Sequence, residues 1–204
     1  MVLRIISPIV IGYLVGSIPF GFLAGKSKGI DIRNIGSGNI GATNTFRALG
    51  TAPAIIVFML DLLKGTFAVV IAKMILPSSP AILSKEFFII ASGLAAVIGH
   101  MYPVYLGFKG GKGSATGLGV LAGIAPDLFV IAILYAVAAI AVTGYVSVTS
   151  ITGVILLSLL MFAFHKPAEY SIVTVIVAIL IIYKHVPNIK RIFSSTEPKI
   201  WGEK

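Results

Sequence analysis

Long apolar runs recur along this chain, and their length constrains the fold more than any other feature. They fall at about 3–25, 52–76, 87–106, 127–144, 147–164 and 168–184, close to the roughly 20 residues that a helix needs to cross ~30 Å of hydrocarbon. Seven acids and sixteen bases in 204 residues could not cover the surface of a soluble domain that is 57% hydrophobic, whereas a lipid-facing surface needs no such cover. The expectation is an all-α polytopic membrane protein, with residues 1–204 forming a single integral-membrane domain. The run from Val2 to Ala24 ends in no convincing cleavage site and reads as a first span.

The segment from Ser114 to Ala125 is shorter. Its twelve residues before Pro126 make roughly 18 Å of helix at ~1.5 Å per residue, a short tilted span or the first half of a longer one. Charge decides between them. With the N-terminus outside, segments 26–50 and 107–113 lie inside and carry Lys26, Lys28, Arg33, Arg47, Lys109 and Lys112. The tail after Tyr183 carries Lys184, Lys190, Arg191, Lys199 and Lys204, and the positive-inside rule wants it there too. Only an odd number of spans achieves that, so the sequence predicts seven transmembrane helices, N-terminus outside and C-terminus cytoplasmic.

A net charge of +9 suggests an anionic partner. The bases are separated by long apolar runs instead of forming one stripe with interleaved aromatics, which disfavours nucleic acid and favours anionic lipid or a small anionic substrate. Cysteine is absent, which removes thiolate ligands and a Cys acyl-enzyme. The acids Asp31, Asp61, Glu86, Asp127, Glu169, Glu197 and Glu203 are scattered, so no carboxylate cluster calls for a metal, and no cofactor is expected. None of His100, His165 and His185 starts an HxxxxD pattern, because Tyr105, Tyr170 and Lys190 stand five residues on. That disfavours the His-Asp glycerolipid acyltransferases.

The polar residues gather in the inside loops. Gly36, Ser37, Gly38, Asn39, Ile40, Gly41, Ala42, Thr43, Asn44, Thr45, Phe46 and Arg47 run consecutively. Glycines allow backbone N–H groups to converge on an oxyanion, short hydroxyls and amides complete the shell, and a guanidinium can bond phosphate through two N–H groups. A glycine-rich loop alone is more often a flexible turn; the polar side chains at this spacing reverse that preference. The second loop, Lys109, Gly110, Gly111, Lys112, Gly113, sets two bases among glycines just before a helix, whose N-terminal end adds positive potential. It lacks the Walker A spacing. His100, at the end of the third span, alone reads as an interfacial structural residue. The end of the last span, with Lys184, His185, Asn188, Lys190 and Arg191, alone reads as a basic anchor.

Asp61 and Lys64 stand at i, i+3 on one face of the second span. Asp61 lies about 15 Å past Thr51 at ~1.5 Å per residue, where a lone acid costs on the order of 3 kcal/mol. A neutralising pair facing the bundle interior is the favoured reading, and an ion or proton pathway the other.

GSIPFG at 16–21, GSGNIGATN at 36–44, Arg47, DLLKG at 61–65, GHMYPVYLGFKGGKG at 99–113 and KHVPNIKR at 184–191, in this order, resemble the bacterial acyl-phosphate:glycerol-3-phosphate acyltransferase family, PlsY. The likeness runs along nearly the whole chain, and Ser114 and Lys184 depart from the family's usual valine and arginine. It implies a seven-helix inner-membrane enzyme, its site facing the cytoplasm, that moves a fatty acyl group from acyl phosphate to the 1-hydroxyl of glycerol 3-phosphate. It also implies a soluble partner, PlsX, that makes the acyl phosphate. Carried onto this chain, the resemblance implies catalytic roles for Ser37, Arg47, Lys112, His185 and Asn188. Substrate contacts are then expected at Gly36, Gly38, Asn39, Thr43, Asn44, His100, Gly110, Gly111 and Gly113. The alternatives are an acyltransferase that draws on acyl-CoA or acyl carrier protein, and a small transporter for an anionic phosphorylated metabolite with Asp61 and Lys64 near the midplane.

Overall fold

The computed structural model describes residues 2–77 and 83–201; Glu203 and Lys204, read above as part of the tail, lie outside them. By its internal contacts the chain divides into two units, Met1–Ile124 and Ala125–Lys204. Every regular element among the described residues is helical.

The first unit holds α1 (Val2–Gly16), α2 (Phe20–Lys26), a 3-10 turn (Ile32–Asn34), α3 (Ala42–Leu49), α4 (Thr51–Ile75), α5 (Lys85–Met101), a second 3-10 turn (Val104–Leu106) and α6 (Ser114–Ile124). The first predicted span is broken. Pro19 has no N–H to continue the ladder, and Ser17 turns its hydroxyl back to Tyr13 O at 2.8 Å, so the chain kinks over 17–19 before α2 resumes. Together the two pieces cover Leu3–Lys26, long and apolar enough to cross a bilayer. The break leaves the Ile18 carbonyl without a donor four residues on; it accepts from Phe20 N at 3.2 Å and from Lys64 Nζ at 3.0 Å.

Helix α4 shows why the unit belongs in lipid. Ile56, Met59, Leu63, Phe67, Val70 and Met74 form an exposed stripe at steps of three and four, while Ala54, Val57, Asp61, Lys64, Ala68 and Ala72 are buried on the other side. Large apolar residues point outward and small or polar ones inward, the reverse of a soluble amphipathic helix. The inward face receives α6. A Cβ at Gly65 would strike Thr116 O, and one at Gly119 would strike Leu62 O, so the two helices approach backbone to backbone where only glycine fits. Lys73 closes the far end by donating to Gly123 O at 2.7 Å. Near the middle of α5, Ser92 Oγ lies 2.8 Å from Pro8 O and 3.0 Å from Ala68 O, within reach of both α1 and α4.

The second unit holds α7 (Pro126–Thr143), α8 (Val146–Ala163), α9 (Ala168–Lys184) and α10 (Val186–Phe193). Pro126 and Pro187 open α7 and α10, positions where a missing N–H costs nothing. Helix α8 packs against both α7 and α9. Between α9 and α10 the chain bends by 55°. Among the described residues, five helices or near-continuous helical segments can cross a membrane by length and composition, or six if α9 and α10 count as one bent span. They fall where the sequence predicts them. Helix α6, apolar but only 11 residues long, falls short of a full span.

Candidate functional site

The loop before α3 is built around Asn44. The Asn44 Oδ1 accepts from Ser37 N at 2.9 Å and lies 3.3 Å from Ser37 Oγ, while its Nδ2 donates to Ile32 O at 2.8 Å. With 1% of its surface exposed, Asn44 is the staple that folds residues 32–37 back onto the first turn of α3. Asn39 Oδ1 accepts from Gly41 N at 2.8 Å, which shapes the entry to that helix. Gly36 stands at φ +58° against the Asn44 carbonyl oxygen and within reach of the Arg47 stem, a backbone conformation and a closeness that favour glycine. Thr43, Asn44 and Arg47 share α3 at steps of one and three to four residues. The structure thus brings Gly36, Ser37, Asn44 and Arg47 together, with Ser37 and Gly36 exposed. Gly38 and Asn39 lie half-buried on the same loop.

At the edge of this loop Arg33 grips Asp31 through Nε and Nη2 and lies over the Phe22 ring. The side-chain bonds from Arg33 hold the Asp31 carboxyl down to about 2.

The second loop is moulded on the end of α5. Gly111 N donates to His100 O at 2.9 Å, and a Cβ at Gly111 would sit on His100 Nε2. A Cβ at Gly110 would strike the same carbonyl, and Gly113 packs on Met101. These glycines let the chain run flat against α5, so that Lys112 stands half-buried two residues before α6. A base held at the start of a helix suits an anion.

Beneath that loop lies the pair expected from Asp61 and Lys64, with a third member. Lys64 Nζ is 2.7 Å from Asp61 Oδ1, 2.9 Å from His100 Nδ1 and 3.0 Å from Ile18 O. Its side chain and that of Asp61 are each 2% exposed. The acid and base were legible at helical spacing. His100 and the carbonyl freed at the Pro19 kink were not, because both come from distant helices.

In the second unit, His185 is buried and its Nδ1 donates to Ile181 O at 2.7 Å, with the ring at the bend between α9 and α10. Asn188 Nδ2 donates to Glu197 Oε1 at 2.6 Å. Glu197 also receives Ser147 Oγ on Oε1 at 2.7 Å and Arg191 Nε on Oε2 at 2.7 Å. Burial pushes this carboxyl up, and the bonds from Asn188, Ser147 and Arg191 outweigh it, leaving Glu197 below its ordinary 4.5. In the sequence Glu197 is one of the scattered acids. One signal was available: it is the lone acid between Lys184 and Lys199.

Three comparisons bear on this geometry. The sequence model of a family described as glycerol-3-phosphate acyltransferase matches residues 6–195. A glycerol-3-phosphate acyltransferase of Halalkalibacterium halodurans is 46% identical over 202 residues, covering 96% of each chain. One from Aquifex aeolicus is 41% identical over 195 residues, covering 93% of this chain and 95% of the relative. Among solved structures, a crystal structure of PlsY (YgiH), an integral membrane glycerol 3-phosphate acyltransferase, in its glycerol 3-phosphate form is similar with a TM-score of 0.89 and 39% identity. It covers 96% of this chain and 94% of that one. Its lysphosphatidic acid form gives 0.86 and 38%. The chain shares the overall fold of these structures and is a member of the glycerol-3-phosphate acyltransferase family.

Proposed function

We propose that this enzyme transfers a fatty acyl group from acyl phosphate to the 1-hydroxyl of glycerol 3-phosphate. The hydroxyl oxygen bonds to the acyl carbonyl carbon, the carbon–oxygen bond to phosphate breaks, and lysophosphatidic acid and phosphate leave. The hydroxyl proton goes to a phosphate oxygen, to Ser37 or to His185. Acyl phosphate is a mixed anhydride, already activated, so positioning and charge stabilisation suffice without a covalent intermediate. The observation that carries this reading is the likeness to a PlsY structure in its glycerol 3-phosphate form across 96% of the chain, beside a family match over residues 6–195 that takes in both glycine-rich loops.

In this reading Arg47 and Lys112 hold the two phosphate groups. Ser37, Gly36, Gly38, Asn39 and Thr43 frame the hydroxyl and carbonyl, with Asn44 fixing Ser37 from below. Gly110, Gly111 and Gly113 shape the phosphate loop, and His185 and Asn188 serve the same reaction, so residues 1–204 act as one acyltransferase domain. The membrane arrangement has seven crossings, N-terminus outside and the site at the cytoplasmic face of the bacterial inner membrane. It requires the 11-residue α6, about 16 Å long at ~1.5 Å per residue, to count as a crossing in a locally thinned or glycine-packed setting. The tail bases then share a side with the loops. The acyl chain extends into lipid, and a soluble PlsX supplies the donor.

The test is one assay: purified protein, glycerol 3-phosphate and, in turn, acyl phosphate, acyl-CoA and acyl carrier protein thioester, with lysophosphatidic acid measured. Product is expected with acyl phosphate alone. Activity only with a thioester overturns the donor, and no product with any donor overturns the reaction. Lys112→Ala should abolish transfer in protein that stays folded in detergent.

A further inference from the structure

The buried Lys64 cluster takes no part in the transfer just described, yet its chemistry is complete. An ammonium has three N–H donors and no acceptor. Ile18 O and His100 Nδ1 lie 3.0 and 2.9 Å from Nζ, and Asp61 Oδ1 supplies the opposite charge at 2.7 Å. Toward an ammonium, which offers no acceptor, His100 Nδ1 can only accept, and the same nitrogen lies 3.4 Å from Asp61 Oδ1. These contacts hold the ring at one orientation.

That ring is the surface on which the Lys112 loop lies. The Nε2 edge faces Gly111, where a Cβ would collide with it, and the His100 carbonyl receives Gly111 N at 2.9 Å and crowds Gly110. One residue thus fixes the loop through both its backbone and its side chain, and Lys64 with Asp61 fixes that residue. Ile18 joins the same ammonium to the kink before α2, and a Cβ at Gly21 of α2 would strike Ile40 O, with Thr45 Oγ1 also beside it. The loop that carries Ser37 and the loop that carries Lys112 share one buried anchor.

We propose that His100, oriented by the Lys64–Asp61 pair, is a positioning residue that sets the affinity of the Lys112 loop for the phosphate of glycerol 3-phosphate. This rests on the reading of that loop as a phosphate site. His100→Ala removes the ring under Gly111, and the loop binds phosphate less well, while groups that act on the acyl carbonyl keep their places.

The experiment measures steady-state transfer in detergent at saturating acyl phosphate with glycerol 3-phosphate varied, each variant checked by gel filtration and melting temperature. His100→Ala should raise KM at least ~10-fold and change kcat by less than about 3-fold. Asparagine keeps an acceptor where Nδ1 stands but not the edge under Gly111, and glutamine reaches toward that edge without the Nδ1 acceptor, so neither His100→Asn nor His100→Gln should restore the parent KM. A role in packing alone predicts that His100→Gln, close to histidine in bulk, recovers the parent KM, and that outcome overturns the proposal. A cycle with Gly111→Ala gives a second arm. Its methyl meets the His100 ring, so it should raise KM alone and add nothing in the His100→Ala background; additive effects overturn the proposal. If Lys112→Ala leaves KM and kcat unchanged, the phosphate reading of the loop fails on its own. If Lys112→Ala is inactive while His100→Ala matches the parent, only the positioning role fails.

Discussion

The two units solve the same electrostatic problem with opposite signs. In the first, a cation is surrounded by three acceptors from the α1–α2 kink, α4 and α5; in the second, an anion, Glu197, is surrounded by donors Ser147, Asn188 and Arg191. The settings differ. The side chains of Lys64 and its partner Asp61 are both 2% exposed, whereas that of Glu197 is 5% exposed and that of its partner Arg191 34%. A buried charge left without its partner has no water to fall back on, while one at the rim does. The first cluster is therefore expected to hold the helices together at all times, and the second to fasten a tail that solvent can compete for.

The largest expected effect comes from breaking the first cluster on one side. Lys64→Met leaves Asp61 buried with only the His100 ring, 3.4 Å from Oδ1, beside it, and should lower the unfolding free energy by about 3–5 kcal/mol. Adding Asp61→Leu should restore most of it. Detergent unfolding followed by circular dichroism reads both, and a single variant as stable as the parent would end the contrast between the units.

Glu197→Ala is expected to cost less, about 2–3 kcal/mol, because two of its donors are buried and Arg191 can turn to water. Proteolysis of the tail between α10 and Trp201 should rise with it. The pH dependence follows from the lowered carboxyl. Its stabilisation is fully present above the ordinary 4.5 and is lost as pH falls through the lower folded value, since protonation then removes a charge that three donors favour. Melting temperatures between pH 6 and 3, a range set around the usual carboxylate titration, should therefore fall more in the parent than in Glu197→Gln, whose profile loses that component. Parallel profiles would remove Glu197 from the account.

The smallest effect is expected at Asp31. Its bond to Arg33 is short, 2.6 Å, but exposed pairs of this kind contribute little. Asp31→Asn should leave the melting temperature unchanged at pH 7, and a clear drop would show that short distance, not burial, ranks these three sites.

How much of this was legible in the sequence follows the range of the interactions. The spans could be read from run length, and Asp61 with Lys64 from a spacing that one helix enforces by itself. The Ser37–Arg47 loop could be read as an anion cradle because its glycines and amides are contiguous, although Asn44, expected at the substrate, spends its amide on stapling Ser37 to Ile32. The break after Gly16 was signalled by Pro19 and hidden by the apolar run that continues through it. His100 and Glu197 were out of reach. Each owes its role to partners on other elements, from Lys64, 36 residues before His100, to Ser147, 50 residues before Glu197, and no local pattern records such meetings.

The Lys64 cluster also bears on how the chain enters the bilayer. Synthesis runs from the N-terminus, so Ile18 and Asp61 exist before Lys64 and His100 only after it. When α4 leaves the insertion machinery it already carries its acid and base one turn apart, and the pair travels as a neutral dipole instead of two separate charges. Ile18 lies earlier in the chain, and α5, made later, carries the last acceptor. A charge that would delay insertion of an isolated helix is thereby admitted in instalments, and the enzyme receives its anchor in the order in which its helices are made.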